Sequence, residues 1–121
     1  MPRILLVDDD ETFRTMVRLR LDQLGHKVVE VADGRAALAE YDSQPFDLII
    51  TDLVMYGMEG METIMEFRKR NPRPRIIAMS GGGRISSGKL LPTAELLGAK
   101  ASLAKPFSLE ELKAAIENAL T

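Results

Sequence analysis

Arg3-Ile4-Leu5-Leu6-Val7-Asp8-Asp9-Asp10 opens the chain, and Asp47-Leu48-Ile49-Ile50-Thr51-Asp52 repeats its pattern forty residues on. Short apolar runs of this length, rich in branched residues, read as strands buried on both faces. An acid at the carboxyl end of such a strand lies on the sheet edge where open α/β folds bind their ligands. Two carboxylates about 4 Å apart repel by roughly 4 kcal/mol at an effective dielectric near 20. A fold that gathers Asp8, Asp9 and Asp52 therefore calls for a counter-cation, and hard oxygen ligands suit Mg²⁺. The plainer reading makes Asp9 and Asp10 caps of the next helix. Capping accounts for one acid; it does not account for Asp52 on another strand.

From these two strands the alternation extends outward. Strand-like runs stand at Arg3–Val7, Lys27–Val31, Leu48–Thr51, Arg75–Met79 and Lys100–Ala104. Helical segments are expected at Glu11–Leu24, Gly34–Asp42, Met61–Arg70, Leu90–Leu97 and Leu109–Leu120. Strict alternation of five strands and five helices implies a (βα)5 doubly wound α/β fold, a parallel sheet between two helical layers. The punctuation agrees: Gly25 and Gly98 close helices, Pro72 and Pro74 follow one, and Ser108 with Glu111 forms a capping box for the last. No repeat or linker divides the chain, so residues 1–121 are expected to form one domain.

Composition narrows the function classes. A chain of 121 residues with 45% hydrophobic content can bury a core without staples, and with no Cys it has neither disulfides nor a cysteine-zinc site. Sixteen basic against eighteen acidic residues leave a formal charge of −2, with the basic residues scattered, so no direct nucleic-acid binding is expected. Apolar runs are far shorter than a membrane span, and the start reads as a strand rather than a signal peptide; membrane insertion is not expected, and the cytoplasm is the simplest location.

Two more residues complete a constellation. Ser80 ends the fourth strand run and Lys105, followed by Pro106-Phe107, ends the fifth. In a right-handed doubly wound sheet all these ends emerge on one edge. A carboxylate nucleophile, metal-binding acids, a hydroxyl and an ammonium together suit phosphoryl transfer. Singly, a Ser after a strand is ordinarily a turn residue and a Lys before Pro is ordinarily solvated. Their placement at the ends of four core strands argues against coincidence.

In this order and on this alternation, the chain resembles the receiver domain of bacterial two-component response regulators, of the stand-alone chemotaxis-regulator type. The resemblance rests on Leu6-Val7-Asp8-Asp9, Asp52-Leu53-Val54-Met55, Gly60, Ser80 and Lys105-Pro106-Phe107, and it covers the whole chain. It implies a flavodoxin-like sheet in the order 2-1-3-4-5. It makes Asp52 the acceptor of a phosphoryl group from a histidine kinase or histidine phosphotransfer protein, with the signal passed to a downstream protein target. It implies Mg²⁺ bound directly by Asp9, Asp52 and the backbone carbonyl of Val54, and by Asp8 through a water. Ser80 and Lys105 would contact the phosphoryl oxygens. Such a protein catalyses only its own phosphorylation and dephosphorylation.

Three departures stand out. Tyr56 replaces the family's usual Pro, Ser102 replaces its aromatic switch residue, and the stretch after Ser80 is longer and begins Gly81-Gly82-Gly83-Arg84. The glycine loop and the helix near Leu90 are expected to carry the switch, with an output surface around Ala94, Leu97 and Ser102 and with Pro92 shortening that helix.

Other residues have competing readings. His26 follows a helix-ending Gly and reads as a loop residue. Met55, Met58, Met61 and Met65 read as core filling or as an adaptable partner surface. Phe13, Val17, Leu21 and Leu24 share one arc of about 80° on the first helix, with Met16 and Leu19 off it. That arc is either a packing face or a docking edge for the phosphodonor. Two further functions compete. Asp8-Asp9-Asp10-Glu11-Thr12 also fits the nucleophile motif of haloacid-dehalogenase-type phosphatases, with Asp8 as nucleophile and Asp10 as acid/base, but no later acidic strand end and no cap segment support it. An unphosphorylated interaction module would not need the intact acids and Lys. With no output domain in view, the chain is a stand-alone regulator or a receiver cut from a longer protein, and its start at Met1 favours the former.

Overall fold

The computed structural model describes residues 2–53, 60–71, 74–81 and 99–121. The helix expected at Leu90–Leu97, the Val54 carbonyl, Met55, Tyr56, Met58, the glycine loop from Gly82 onward, Pro92, Ala94 and Leu97 lie outside the described residues. In chain order the elements are β1 (Arg3–Val7), α1 (Glu11–Gln23), β2 (Lys27–Val31), α2 (Gly34–Ser43), β3 (Leu48–Asp52), α3 (Gly60–Arg70), β4 (Ile76–Gly81), β5 (Ala101–Lys105) and α4 (Leu109–Leu120). The strands form one sheet in the order β2-β1-β3-β4-β5, and every pairing is parallel. The fold is the flavodoxin-like order expected.

Alternation along the strands builds two cores. Ile4, Leu6, Leu48, Ile50, Ile77, Met79 and Leu103 face one way and meet Val17 and Leu21 of α1 with Leu112, Ala115 and Ile116 of α4. Leu5, Val7, Ile49, Ile76 and Ala78 face the other way and meet Ala37 and Leu38 of α2 with Ile64 and Phe67 of α3. Successive side chains of a strand point to opposite faces, so a strand apolar at every position must be covered on both. On α2 and α3, Tyr41 packs edge-on to Phe67 with ring centroids 4.9 Å apart.

The helix ends follow local chemistry. Asp10 caps α1, its side chain accepting from the Phe13 amide at 3.1 Å. Gly25, at φ 87°, closes the same helix in the left-handed conformation, while the His26 amide reaches back to the Leu21 carbonyl. Ser108 and Glu111 form both arms of the expected capping box on α4, at 3.0 and 2.9 Å. Asp33 caps α2 in the same manner as Asp10.

Strand boundaries move in one informative way. β3 runs to Asp52, β4 to Gly81 and β5 to Lys105, one or two residues past the ends expected from hydropathy. Polar residues close these strands because the ladder continues: Asp52 pairs with Met79 and Lys105 with Gly81. Asp52, Ser80 and Lys105 thus sit within the sheet, whereas Asp8 and Asp9 follow the end of β1.

Helix α1 settles one open reading. Phe13, Val17, Leu21 and Leu24 all pack into the core, so that arc is a packing face rather than a docking edge. Met16, expected off the arc, also packs against the core, whereas Leu19 is 51% exposed. Met65 stands half exposed on α3, so core filling does not hold there. His26 follows the α1 turn, at the sheet end opposite the acids, beside Leu24, Lys113 and Glu117. Among the described residues no helix is long and apolar enough to cross a membrane.

Candidate functional site

Parallel register assembles the site. Val7 lies beside Thr51, so the residues that follow them, Asp8 and Asp52, meet at the carboxyl ends of β1 and β3. Asp52 pairs with Met79, which places Ser80 next along β4, and Gly81 pairs with Lys105 across to β5. Carboxylate oxygens of Asp8, Asp9 and Asp52 lie within 4.8 Å of one another. The structure therefore brings together Asp8, Asp9, Asp52, Ser80 and Lys105 on one edge; Val54 falls outside the described residues.

Lys105 is the cation of this edge. Its Nζ donates to Asp8 Oδ2 at 2.7 Å and to Asp52 Oδ2 at 3.0 Å. Asp8 is fully buried and Asp52 nearly so, and both stay next to an ammonium that is itself largely shielded from water. Burial works against the Lys105 ammonium, but hydrogen bonding to Asp8 and the field of Asp52 outweigh it and raise its pKa above the usual lysine value. At Asp8 burial prevails instead. Burial pushes its carboxyl up to about 6, although the Lys105 hydrogen bond pulls against that rise; the charge of Asp52 adds to it. Two carboxylates share this ammonium, and the Asp9 carboxylate lies within 4.8 Å of both.

Asp8 is braced on several sides. Its Oδ1 accepts from the Asp10 amide at 2.9 Å, and its backbone carbonyl accepts from Arg14 Nη1 at 2.7 Å. Arg14 is held in turn by Glu30 of β2 at 2.9 Å, and Arg18 meets the same Glu30 at 2.8 Å. Ser80 Oγ is buried and has no hydrogen-bond partner among the described residues. A buried hydroxyl left so is unusual, since a hydroxyl can both donate and accept.

Sequence reasoning missed the surrounding supports. Arg14, Glu30, Phe13 and Arg20 all bear on the site, and none was singled out for that role. One signal was available: Glu30 is a lone acid within Lys27-Val28-Val29-Glu30-Val31. The plainer reading of the acids holds for Asp10, whose side chain caps α1. That use also weighs against Asp10 as a phosphatase acid/base.

A crowded, partly neutralised set of carboxylates beside a buried hydroxyl, on the ligand-binding edge of a doubly wound sheet, has the chemistry that suits a hard cation and oxygen-rich ligands. Comparison with known proteins narrows this class. The sequence model of the response regulator receiver domain matches residues 4–117. The probable chemotaxis protein CheY of Rhizobium etli is 37% identical over 120 residues, a match covering 95% of this chain and 89% of that one. The probable transcriptional regulator ycf27 of Cyanophora paradoxa is 34% identical over 98% of this chain, which spans 48% of that protein's length. Among solved structures, the receiver domain of a Pseudomonas aeruginosa sensor histidine kinase, with magnesium coordinated in its active-site cleft, superposes with a TM-score of 0.84. It is 29% identical, with 98% of this chain and 97% of that one covered. The chain belongs to the response regulator receiver domain family. The dehalogenase-type alternative is not favoured.

Proposed function

We propose that residues 1–121 form one receiver domain in which Asp52 is the phosphoacceptor. The donor is a phosphohistidine on a histidine kinase or histidine phosphotransfer protein. A carboxylate oxygen of Asp52 bonds to phosphorus, the phosphorus–nitrogen bond breaks, and the freed imidazole takes up a proton. Hydrolysis of the acyl phosphate later returns Asp52 to a carboxylate. The only substrate of this catalysis is the chain itself, and the output is a change of contact with a protein partner. Net charge argues against nucleic acid as that partner.

The observation that carries the reading is the double contact of Lys105 with Asp8 and Asp52, set beside the buried Ser80 hydroxyl. Lys105 already touches the carboxylate that would carry the phosphoryl group, so its ammonium can pair with a phosphoryl oxygen by a small movement. Ser80 has a hydrogen-bond donor to give to a second oxygen. Phosphorylation brings about −1.5 to −2 charges to one side chain, and both groups answer that charge.

Asp8, Asp9 and Asp52 fit Mg²⁺ by their chemistry. Three hard carboxylates lie close together, and the charge of Asp52 adds to the rise that burial causes at Asp8. Asp9 and Asp52 would hold the ion directly, with the Val54 carbonyl, and Asp8 would hold it through a water. Bound there, Mg²⁺ would neutralise charge on the oxygens of the transferring group. The test is labelling by acetyl phosphate with and without Mg²⁺. Wild type should label only with the metal, and Asp52→Asn should not label at all.

A further inference from the structure

Lys105 has a third neighbour besides its two carboxylates. Its Nζ lies over the face of the Phe13 ring, 4.5 Å from the centroid. An ammonium within about 6 Å of a ring centroid is drawn to the negative face of the aromatic quadrupole. Phe13 is itself fixed. Its ring meets Phe107 edge to face, with centroids 5.4 Å apart and an interplanar angle of 85°. Seven residues further along the same face of α1, Arg20 donates from Nη1 to the Phe107 carbonyl at 3.0 Å. Helix α1 thus grips the segment that follows β5 at two points, and the upper point also touches the ammonium.

Geometry gives this contact a direction. Asp8 and Asp52 both draw the ammonium, and a flexible four-carbon stem leaves it free to favour either carboxylate. A ring face on a third side narrows that freedom. An aliphatic side chain of similar size would still pack against Phe107 but would offer the ammonium no electron-rich surface. We propose that Phe13 is a positioning residue for Lys105: its ring holds the ammonium between Asp8 and Asp52, ready for an oxygen arriving at Asp52. The proposal rests on the reading of Lys105 as a phosphoryl-contacting residue, while the placement of Lys105 by Phe13 can be measured independently.

The experiment compares Phe13→Leu and Phe13→Tyr, each with Lys105 intact and with Lys105→Met. In NMR spectra of the unphosphorylated chain, the Lys105 Cε protons should resonate upfield through the ring current in wild type and Phe13→Tyr. That displacement should disappear in Phe13→Leu. Labelling by acetyl phosphate in saturating Mg²⁺ should slow ~2–5-fold in Phe13→Leu, the rate equivalent of one cation–π contact. Phe13→Tyr should label at the wild-type rate, and Mg²⁺ affinity should be the same in all three. With Lys105→Met in place, Phe13→Leu should change the rate no further. Equal slowing with and without the ammonium, or failure of Phe13→Tyr to restore the rate, would overturn the positioning role and leave only packing. An unchanged Lys105 resonance in Phe13→Leu would overturn the contact itself. If wild type does not label at all, the phosphoacceptor reading fails, and the resonance alone decides whether Phe13 places Lys105.

Discussion

The Lys105 ammonium stands closer to Asp8, at 2.7 Å, than to Asp52, at 3.0 Å. Asp8 is the most deeply buried member of the acidic set, and one oxygen of its carboxyl is already engaged by the Asp10 amide. The ammonium therefore ties β5 to β1 as well as to β3, and an anion arriving at Asp52 competes with a contact that is already made.

Acidity at Asp8 should show in stability. Its carboxyl is pushed up to about 6 from an ordinary 3.8, chiefly by burial. A raised carboxyl pKa stabilises the fold below the ordinary value, and that contribution is lost as pH rises through about 6. Between pH 5 and pH 7.5 the metal-free protein should lose about 1 kcal/mol from this group. Asp8→Asn should not show that loss. Urea melts of both proteins at the two pH values check it, and identical pH dependence in the two would count against a strained Asp8. Lys105 contributes in a different window: its raised pKa stabilises the fold below the ordinary 10.5 and is lost only above it.

Metal binding should be visible without any phosphoryl donor. Mg²⁺ at a hundred times its dissociation constant should add about 2.7 kcal/mol, which for a domain of this size raises the melting temperature by roughly 10 °C. Asp9→Ala should abolish the rise and, by relieving repulsion, should not lower metal-free stability. Because the carboxylate form of Asp8 favours the cation, Mg²⁺ affinity should weaken as pH falls through about 6. Calorimetry that shows no Mg²⁺ response in wild type would remove the metal from the account.

Lys105→Arg keeps a positive charge but replaces a compact ammonium with a planar fork. The variant should accept a phosphoryl group and yet fail to pass the signal. Spectral changes produced by beryllofluoride should be smaller than in wild type and should not reach the residues around Phe107. Equal responses in the two proteins would refute a signalling role for the ammonium.

Ser108→Ala separates stability from chemistry. The substitution removes one arm of the α4 capping box and should cost about 1 kcal/mol. Mg²⁺ affinity and labelling rate should stay at wild-type values, because the Ser108 side chain is engaged by the Glu111 amide and not by Asp8 or Asp52. A labelling defect in a folded Ser108→Ala protein would show that α4 reaches the site.

How much of this was legible beforehand follows from the kind of signal each part leaves. Asp8, Asp52, Ser80 and Lys105 were readable because each ends an apolar run, and a parallel sheet turns such ends into neighbours. The strand order came from the family resemblance, since alternation alone allows several orders. Phe13 over Lys105 and Arg14 on the Asp8 carbonyl left no local trace, and the Arg14–Glu30 pair left only a lone acid in β2. These meetings join residues 92, 6 and 16 positions apart, and they depend on how α1 rotates and leans against the sheet. Met16 shows the same limit, because an angular arc describes an isolated helix while α1 is covered from the sheet and from α4. Strand ends were displaced because hydropathy stops at the last apolar residue, whereas the ladder carries on through Asp52 and Lys105.

The central claim is that the phosphoryl group is carried on Asp52, and chemical trapping tests it most directly. After incubation with acetyl phosphate and Mg²⁺, borohydride reduces an acyl phosphate to an alcohol, and the peptide mass then reports the position. The account predicts homoserine at position 52 in wild type, none there without Mg²⁺, and none anywhere in Asp52→Asn. Homoserine at position 8, or an unmodified Asp52 in a labelled protein, would contradict it.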